Sequence, residues 1–204
     1  AATFVLTTMP EVTTKMIAQL RGMTNAGMMD CKKALIEVDG DLDAAVDLLR
    51  KRGVETAAKK GMRDASEGAI VAHIVPGAKV GVLVEVNCET DFVAKNETFR
   101  EYGDRIARLL AEDPSVDLEP IRLELLGQVR ENIGITRHQR LEVDGNGLVA
   151  AYIHTGAKVG VLVEVGAGKA ATESSEDFKQ LVKDITLQIA AASPVAVSKE
   201  GVDQ

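Results

Sequence analysis

Two periods follow one another along this chain, and their order predicts its elements. Over residues 13–53 apolar positions recur every three or four residues. Met16, Ile17, Leu20 and Met23 make one stripe, Cys31, Ala34, Leu35 and Val38 a second, and Leu42, Ala45, Val46 and Leu49 a third. Each is the apolar face of a short helix. Thr24-Asn25-Ala26-Gly27 separates the first two, Asp39-Gly40 ends the second, Asp41 caps the third and Gly53 is expected to stop it. Three helices in about 40 residues make a miniature bundle, near the lower size limit for independent folding.

After a polar, Ala/Lys-rich linker at residues 54–67 the pattern changes to β-branched runs. Residues 68–75 and 80–86 flank Pro76-Gly77-Ala78-Lys79, which predicts an antiparallel hairpin. A polar cluster from Asn87 to Asp91 breaks the second strand. Asn96 then caps a helix from Glu97 to Glu112, with Phe99, Ile106, Leu109 and Leu110 on its core side. A helix at 121–132 and a strand at 133–143 follow. A second hairpin at 148–165 turns at Thr155-Gly156-Ala157-Lys158, passes through a looser linker around Thr172-Glu173-Ser174-Ser175, and meets a last helix at 176–192.

The two hairpins are copies. Gly77-Ala78-Lys79-Val80-Gly81-Val82-Leu83-Val84-Glu85-Val86 recurs unchanged at 156–165, an offset of 79 residues. Gly68 matches Gly147, Ala72 matches Ala151, Ile74 matches Ile153, Phe99 matches Phe178 and Ile106 matches Ile185. The copies diverge after the hairpin: the first carries Asp91 and Phe92 where the second carries Ala170 and Ala171. Phe92 either tucks under the following helix as core or projects for function. A core role calls for a large residue at Ala171, so the pair reads as a functional addition to one copy. The fold class is α+β: an N-terminal three-helix domain and a duplicated core of antiparallel strands with packed helices, the second copy incomplete. Expected boundaries are 1–8 for a processed leader or a cloning remnant, 9–55 for the helical domain, 56–67 for the linker, and 68–145 and 146–204 for the copies. The second copy lacks a counterpart of the 133–143 strand, which leaves a sheet edge that a partner or a further segment is expected to cover.

Composition narrows the function. Aromatic residues are only 3% of the chain, so the core is aliphatic. Net charge is −7, which argues against nucleic acid as the main partner. Arg50-Lys51-Arg52, Lys59, Lys60 and Arg63 form a basic cluster that suits a solvated helix end. Cys31 and Cys88 are the only cysteines, neither at metal spacing, and point to a reducing compartment. No apolar run approaches the roughly 20 residues of a membrane span. His73, His138 and His154 are far apart, and Gly166-Ala167-Gly168-Lys169-Ala170 lacks the spacing and the hydroxyl of a phosphate loop. A hydrolase built on Cys88, Glu89 and Asp91 has no accompanying base or metal set. No catalytic group and no cofactor are expected. Met28-Met29, between the first two helices, offers a flexible contact surface, with one methionine expected to be buried and the other to face a partner.

Two long segments carry a resemblance. Thr24-Asn25-Ala26-Gly27-Met28-Met29-Asp30-Cys31-Lys32-Lys33-Ala34-Leu35 and Glu85-Val86-Asn87-Cys88-Glu89-Thr90-Asp91-Phe92-Val93-Ala94-Lys95-Asn96 resemble the signature segments of the elongation factor Ts family. The resemblance runs from about residue 9 to the end. It implies an N-terminal domain similar to ubiquitin-associated domains, a core of two related subdomains, and nucleotide exchange on the GTPase elongation factor Tu. It further implies that Asp91 and Phe92, flanked by Thr90 and Val93, press beside the nucleotide site, that Met28, Met29 and Lys32 dock on a helix of the same GTPase domain, and that His154 is a core contact. Asn25 stands where the family usually has glycine. The family's coiled-coil excursion, final strand and C-terminal module have no counterpart here. The implied protein is not an enzyme and binds neither membrane nor, directly, nucleic acid. It works in the bacterial cytoplasm, with an organelle as the alternative, and a dimer is left open. The competing class is a plain interaction module acting through the three-helix domain alone.

Overall fold

The computed structural model describes residues 12–201; the leader expected at 1–8 lies outside them. In chain order the elements are α1 (Thr14–Thr24), α2 (Met28–Glu37), α3 (Leu42–Lys60), β1 (Glu67–Ile74), β2 (Val80–Cys88), α4 (Asp91–Ala94), α5 (Glu97–Glu112), α6 (Glu119–Val129), β3 (Gly134–Glu142), β4 (Gly147–Ile153), β5 (Gly160–Gly166), α7 (Ala170–Glu173) and α8 (Glu176–Ala192), with a closing 3-10 turn, Lys199–Gly201. They form two compact units, one of residues up to 64 with 119–133, the other of 65–118 with the remainder from 134.

The first unit holds α1, α2, α3 and α6. Ile17, Leu20, Cys31, Ala34, Leu35 and Ala45 form its buried centre, with Met16, Val38, Leu42, Val46 and Leu49 packed around it. Caps set the turns. The Thr13 hydroxyl accepts from the Met16 N–H, and Asp41 Oδ1 accepts from the Asp43 and Ala44 N–H groups. Asn25 ends α1 in the left-handed region at φ 51°. Asparagine tolerates that conformation best after glycine, so the departure from the family's usual glycine keeps the turn. Asn25 Nδ2 also donates to Glu124 Oε1 of α6 at 2.7 Å.

Two expectations are corrected in this unit. Gly53 does not stop α3, which continues to Lys60 and buries Ala57. A mid-helix glycine costs about 1 kcal/mol relative to alanine, and helix formers on both sides outweigh it; the expected linker at 54–67 is therefore helix as far as Lys60. The helix at 121–132, assigned by sequence to the core, is α6 of the first unit. Ile121, Leu125 and Leu126 are buried, Arg130 pairs with Asp30 at 2.8 Å, and Lys60 donates to the Arg130 carbonyl.

The second unit holds both copies. One antiparallel sheet has the order β1-β2-β3, and the other consists of β4-β5. Among the described residues β5 pairs only with β4, whereas β2 also pairs with β3 from Val80↔Glu142 to Asn87↔Gly134. The copies interlock reciprocally. The Ala78 carbonyl, at the first hairpin turn, accepts from the Val149 N–H at 2.7 Å. The Ala157 carbonyl, at the second, accepts from the Ile70 N–H at 2.8 Å. Both pairs are related by the 79-residue offset, so the unit has an internal approximate dyad. Close approach across it requires glycine. A Cβ on Gly81 would sit 2.5 Å from Val149 Cγ1, and one on Gly160 would sit 2.6 Å from Ile70 Cγ2.

An ion pair reinforces the dyad on one side. Lys79 Nζ lies 2.7 Å from Glu173 Oε1 and donates to the Gly145 and Gly147 carbonyls, while Glu173 Oε2 accepts from the Gly147 N–H at 3.0 Å. The Lys79 ammonium, then the Gly147 N–H, hold the Glu173 carboxyl below its ordinary range. On the other side Lys158 pairs with Glu67 at 2.6 Å.

Gly81→Ala and Gly160→Ala are each expected to lower the unfolding free energy by about 1–3 kcal/mol. Gly53→Ala, in open space within α3, raises it by up to about 1 kcal/mol. Urea titration of the three variants checks both signs. The depressed Glu173 carboxyl releases its proton more readily in the folded than in the unfolded chain. Its contribution is therefore full above the ordinary carboxylate value, about 4.3, and is lost as pH falls through the lowered folded value. Glu173→Gln should unfold at a lower temperature than the parent at neutral pH, with the difference closing in strong acid.

Candidate functional site

The residues singled out after the first hairpin lie on α4, a single helical turn between β2 and α5. The end of β2 is braced before the chain leaves it. Asn87 Oδ1 accepts from the Thr136 hydroxyl on β3 at 2.7 Å, and Asn87 Nδ2 donates to Glu85 Oε1 at 3.1 Å. Glu85 in turn receives Arg137 Nε at 2.7 Å, and Asn87 and Arg137 together hold its carboxyl below the usual range. The buried Cys88 thiol donates to the Thr90 carbonyl at 3.2 Å.

The turn is closed from both ends. Thr90 caps it, its hydroxyl accepting from the Val93 N–H. The Ala94 and Lys95 N–H groups donate back to the Thr90 and Asp91 carbonyls at 3.2 and 3.1 Å, and the Asn96 N–H donates to the Val93 carbonyl at 2.9 Å. Ala94 is the buried foot of the turn, and Val93 is half-buried. Asp91 Oδ2 lies 2.6 Å from Lys95 Nζ, and that ammonium is the main reason its carboxyl sits below the ordinary range. Phe92, on the outer side, is 83% exposed. It is not core.

The second copy contains the same turn. The looser linker expected at 172–175 begins inside a helical turn, α7 at Ala170–Glu173, offset from α4 by 79 residues; Ser174 ends it and Ser175 caps α8 as Asn96 caps α5. Ala171, the counterpart of Phe92, is also exposed. The backbone thus builds this turn with or without an aromatic side chain. Burying a phenylalanine gains about 1.5–3 kcal/mol, and the free chain leaves that gain untaken at Phe92.

The remaining candidates occupy two places. His154 is exposed at the end of β4, with Tyr152 Oη 3.0 Å from its Nδ1. The turn after it pairs with β1 through Lys158 and Glu67, and Glu67 lies opposite Cys88 in the β1–β2 register. That turn is therefore at the end of the sheet from which α4 departs. Met28, Met29 and Lys32 belong to the first unit, at the start of α2, spaced so that one face presents all three. Both methionines are exposed, at 53% and 62%, which corrects the expectation that one would be buried. The buried stripe of α2 begins only at Cys31, and Ala26 already packs on the bundle ahead of the helix. Burial also pushes the Cys31 thiol upward, away from reactivity.

Sequence reasoning passed over Lys95 and Tyr152. The signals were there: Lys95 is four residues beyond Asp91, and Tyr152 two residues before His154 on one strand face. Among the described residues no cluster of three or more His, Cys, Asp and Glu side chains has the geometry to hold a metal, and no helix is long and apolar enough to cross a membrane.

An exposed apolar tip on a braced turn makes a presenting surface, suited to contact with a macromolecule rather than to enclosing a small one. The family described as Elongation factor TS matches residues 89–204. The chain is 44% identical over 201 residues to elongation factor Ts of Symbiobacterium thermophilum, covering 95% of this chain and 66% of that protein. It is 40% identical over 209 residues to elongation factor Ts of Clostridium novyi, covering 95% and 67%, and 42% identical over 207 residues to that of Trichlorobacter lovleyi, covering 94% and 66%. The chain belongs to the elongation factor Ts family, and it spans about two thirds of the length of the curated relatives it matches.

Phe92→Ala removes surface that touches no core, so its thermal midpoint should match the parent's to within about 0.5 kcal/mol of stability. A clear loss of stability in calorimetry would show that Phe92 serves packing.

Proposed function

We propose that this chain binds elongation factor Tu and speeds release of its GDP during translation elongation. The observation that carries the reading is Phe92, 83% exposed on a turn whose duplicate carries alanine. Membership of the elongation factor Ts family supplies the partner, and the exposed Met28-Met29 pair a second contact.

The physics is linkage. A protein that binds preferentially to a GTPase conformation with a disturbed phosphate and Mg²⁺ site weakens GDP, and GDP weakens it by the same factor. Such a factor needs no acid or base. It needs an apolar group that is buried only in the complex and a platform that does not yield when that group is pressed. Phe92 is the wedge, and Asp91 beside it is the polar anchor. The bracing of β2 and the caps of α4 make the platform. GTP and aminoacyl-tRNA then displace the factor. Met28, Met29 and Lys32 add affinity, and His154 adds a contact from the second copy.

The test is release of a fluorescent GDP analogue from elongation factor Tu in excess unlabelled GDP. The parent chain should accelerate release, and Phe92→Ala should lose about thirtyfold of the acceleration, the scale of a hot-spot truncation. No acceleration by the parent, or normal acceleration by Phe92→Ala, overturns the reading. The competing reading, an interaction module acting through the three-helix domain alone, predicts that Asp91 and Phe92 are dispensable for binding.

A further inference from the structure

We infer that Lys95 is a positioning residue, which holds the α4 turn in its presenting geometry through the Asp91 carboxylate and so fixes where Phe92 stands. The inference rests on the reading of Phe92 just given and adds to it a residue that acts on the wedge without being the wedge.

A four-residue helix cannot hold itself. Nucleating a turn fixes several dihedrals for one hydrogen bond, and isolated helices far longer than α4 are marginal in water. The geometry must come from its ends. Thr90 supplies the N-terminal closure and the buried Ala94 the foot. Lys95 supplies the tie along the outer side, its Nζ 2.6 Å from Asp91 Oδ2 across one helical turn. The order is the favourable one, with the acid at the N-terminal end and the base at the C-terminal end, each complementing the backbone dipole. Phe92 is the next residue after Asp91, so a restraint on Asp91 is felt directly at the wedge.

The duplication isolates the purpose of this tie. At the positions of Asp91 and Lys95 the second copy has Ala170 and Ser174. There the turn is closed by the Ser174 hydroxyl donating to the Ala170 carbonyl at 3.1 Å, and by Glu173 reaching Lys79 and the Gly147 N–H. A turn of this shape therefore forms without an acid–base pair between its own first residue and the residue four further on, Ala170 and Ser174 here. The pair is found in the copy that carries the exposed aromatic and is missing from the copy that does not. Lys95 is itself well exposed, so its replacement does not disturb the core.

The experiment compares Lys95→Glu, Lys95→Met and Lys95→Arg in the whole chain, with two readouts. The first needs no partner: amide hydrogen exchange of Val93, Ala94 and Lys95 by NMR on the free protein. Loss of an i,i+4 pair should speed exchange about twofold in Lys95→Met, and replacing attraction by repulsion about fivefold in Lys95→Glu, with Lys95→Arg restoring the parent rate. Salt should shrink the differences. The second readout is the GDP-release assay, in which the half-saturating concentration of the chain should rise by the same factors while the saturated rate is unchanged. Unchanged amide exchange in Lys95→Glu overturns the inference. So does weakened nucleotide release with unchanged amide exchange, because Lys95 would then be touching the partner itself. Faster amide exchange with unaltered release also overturns it, since the turn would not need the restraint. An inactive parent chain counts against the proposed function and not against Lys95, whose hold on the turn the amide measurement decides alone.

Discussion

The second unit depends on a reciprocal exchange. Each hairpin turn gives its alanine carbonyl to a strand of the other copy, Ala78 to Val149 and Ala157 to Ile70. These bonds bring the two hairpins so close that Gly81 and Gly160 have no room for a side chain. A single copy would leave both its turn carbonyl and the sheet face turned to the other copy without a partner, whereas its other face is covered by its own helix, α5 or α8. The positive φ values of Ala78 and Ala157, 55° and 54°, show how closely the two turns match.

From that constraint follows the division between scaffold and site. Because the pseudo-dyad fixes both hairpins, the short turns leaving them are presented from a rigid base, and their outer side chains are free to differ. On α7 those positions are alanines, and its remaining acid, Glu173, is turned inward to lock Lys79 and Gly147. On α4 the inward position is Ala94 and the outer ones are Asp91 and Phe92. One backbone turn serves as internal cement in one copy and as an outward tip in the other. The tip leaves in water an apolar area whose burial would gain about 1.5–3 kcal/mol.

Much of this was legible in the sequence. The offset of 79 residues located both hairpins and their following helices, and the contrast of Phe92 with Ala171 identified the tip before its exposure was seen. The caps Asp41 and Asn96 and the extent of α8 were readable because side-chain capping is local chemistry. The misreadings share a cause: they turn on what lies across space. Gly53 has the composition of a terminator, but it lies inside α3, which buries Ala57 and runs on to a cap at Gly61. Residues 121–132 have the right period for a core helix, yet nothing local says that Glu124 and Arg130 reach Asn25 and Asp30, about a hundred residues earlier. Thr172-Glu173-Ser174-Ser175 reads as linker because a one-turn helix, α7, has no period to detect. Composition divides Met28 and Met29 between core and surface, whereas the first turn of α2 leaves both exposed.

The matching of α4 and α7 gives the molecule an internal reference. Both turns experience the same temperature, pH, ionic strength and overall tumbling, and both open onto solvent from equivalent strands. Any spectroscopic difference between Phe92 and Ala171, or between Lys95 and Ser174, therefore reports the side chains and the β3 support of the first copy, and not the conditions. A single spectrum of the chain records the turn with its exposed aromatic and the matching turn without it.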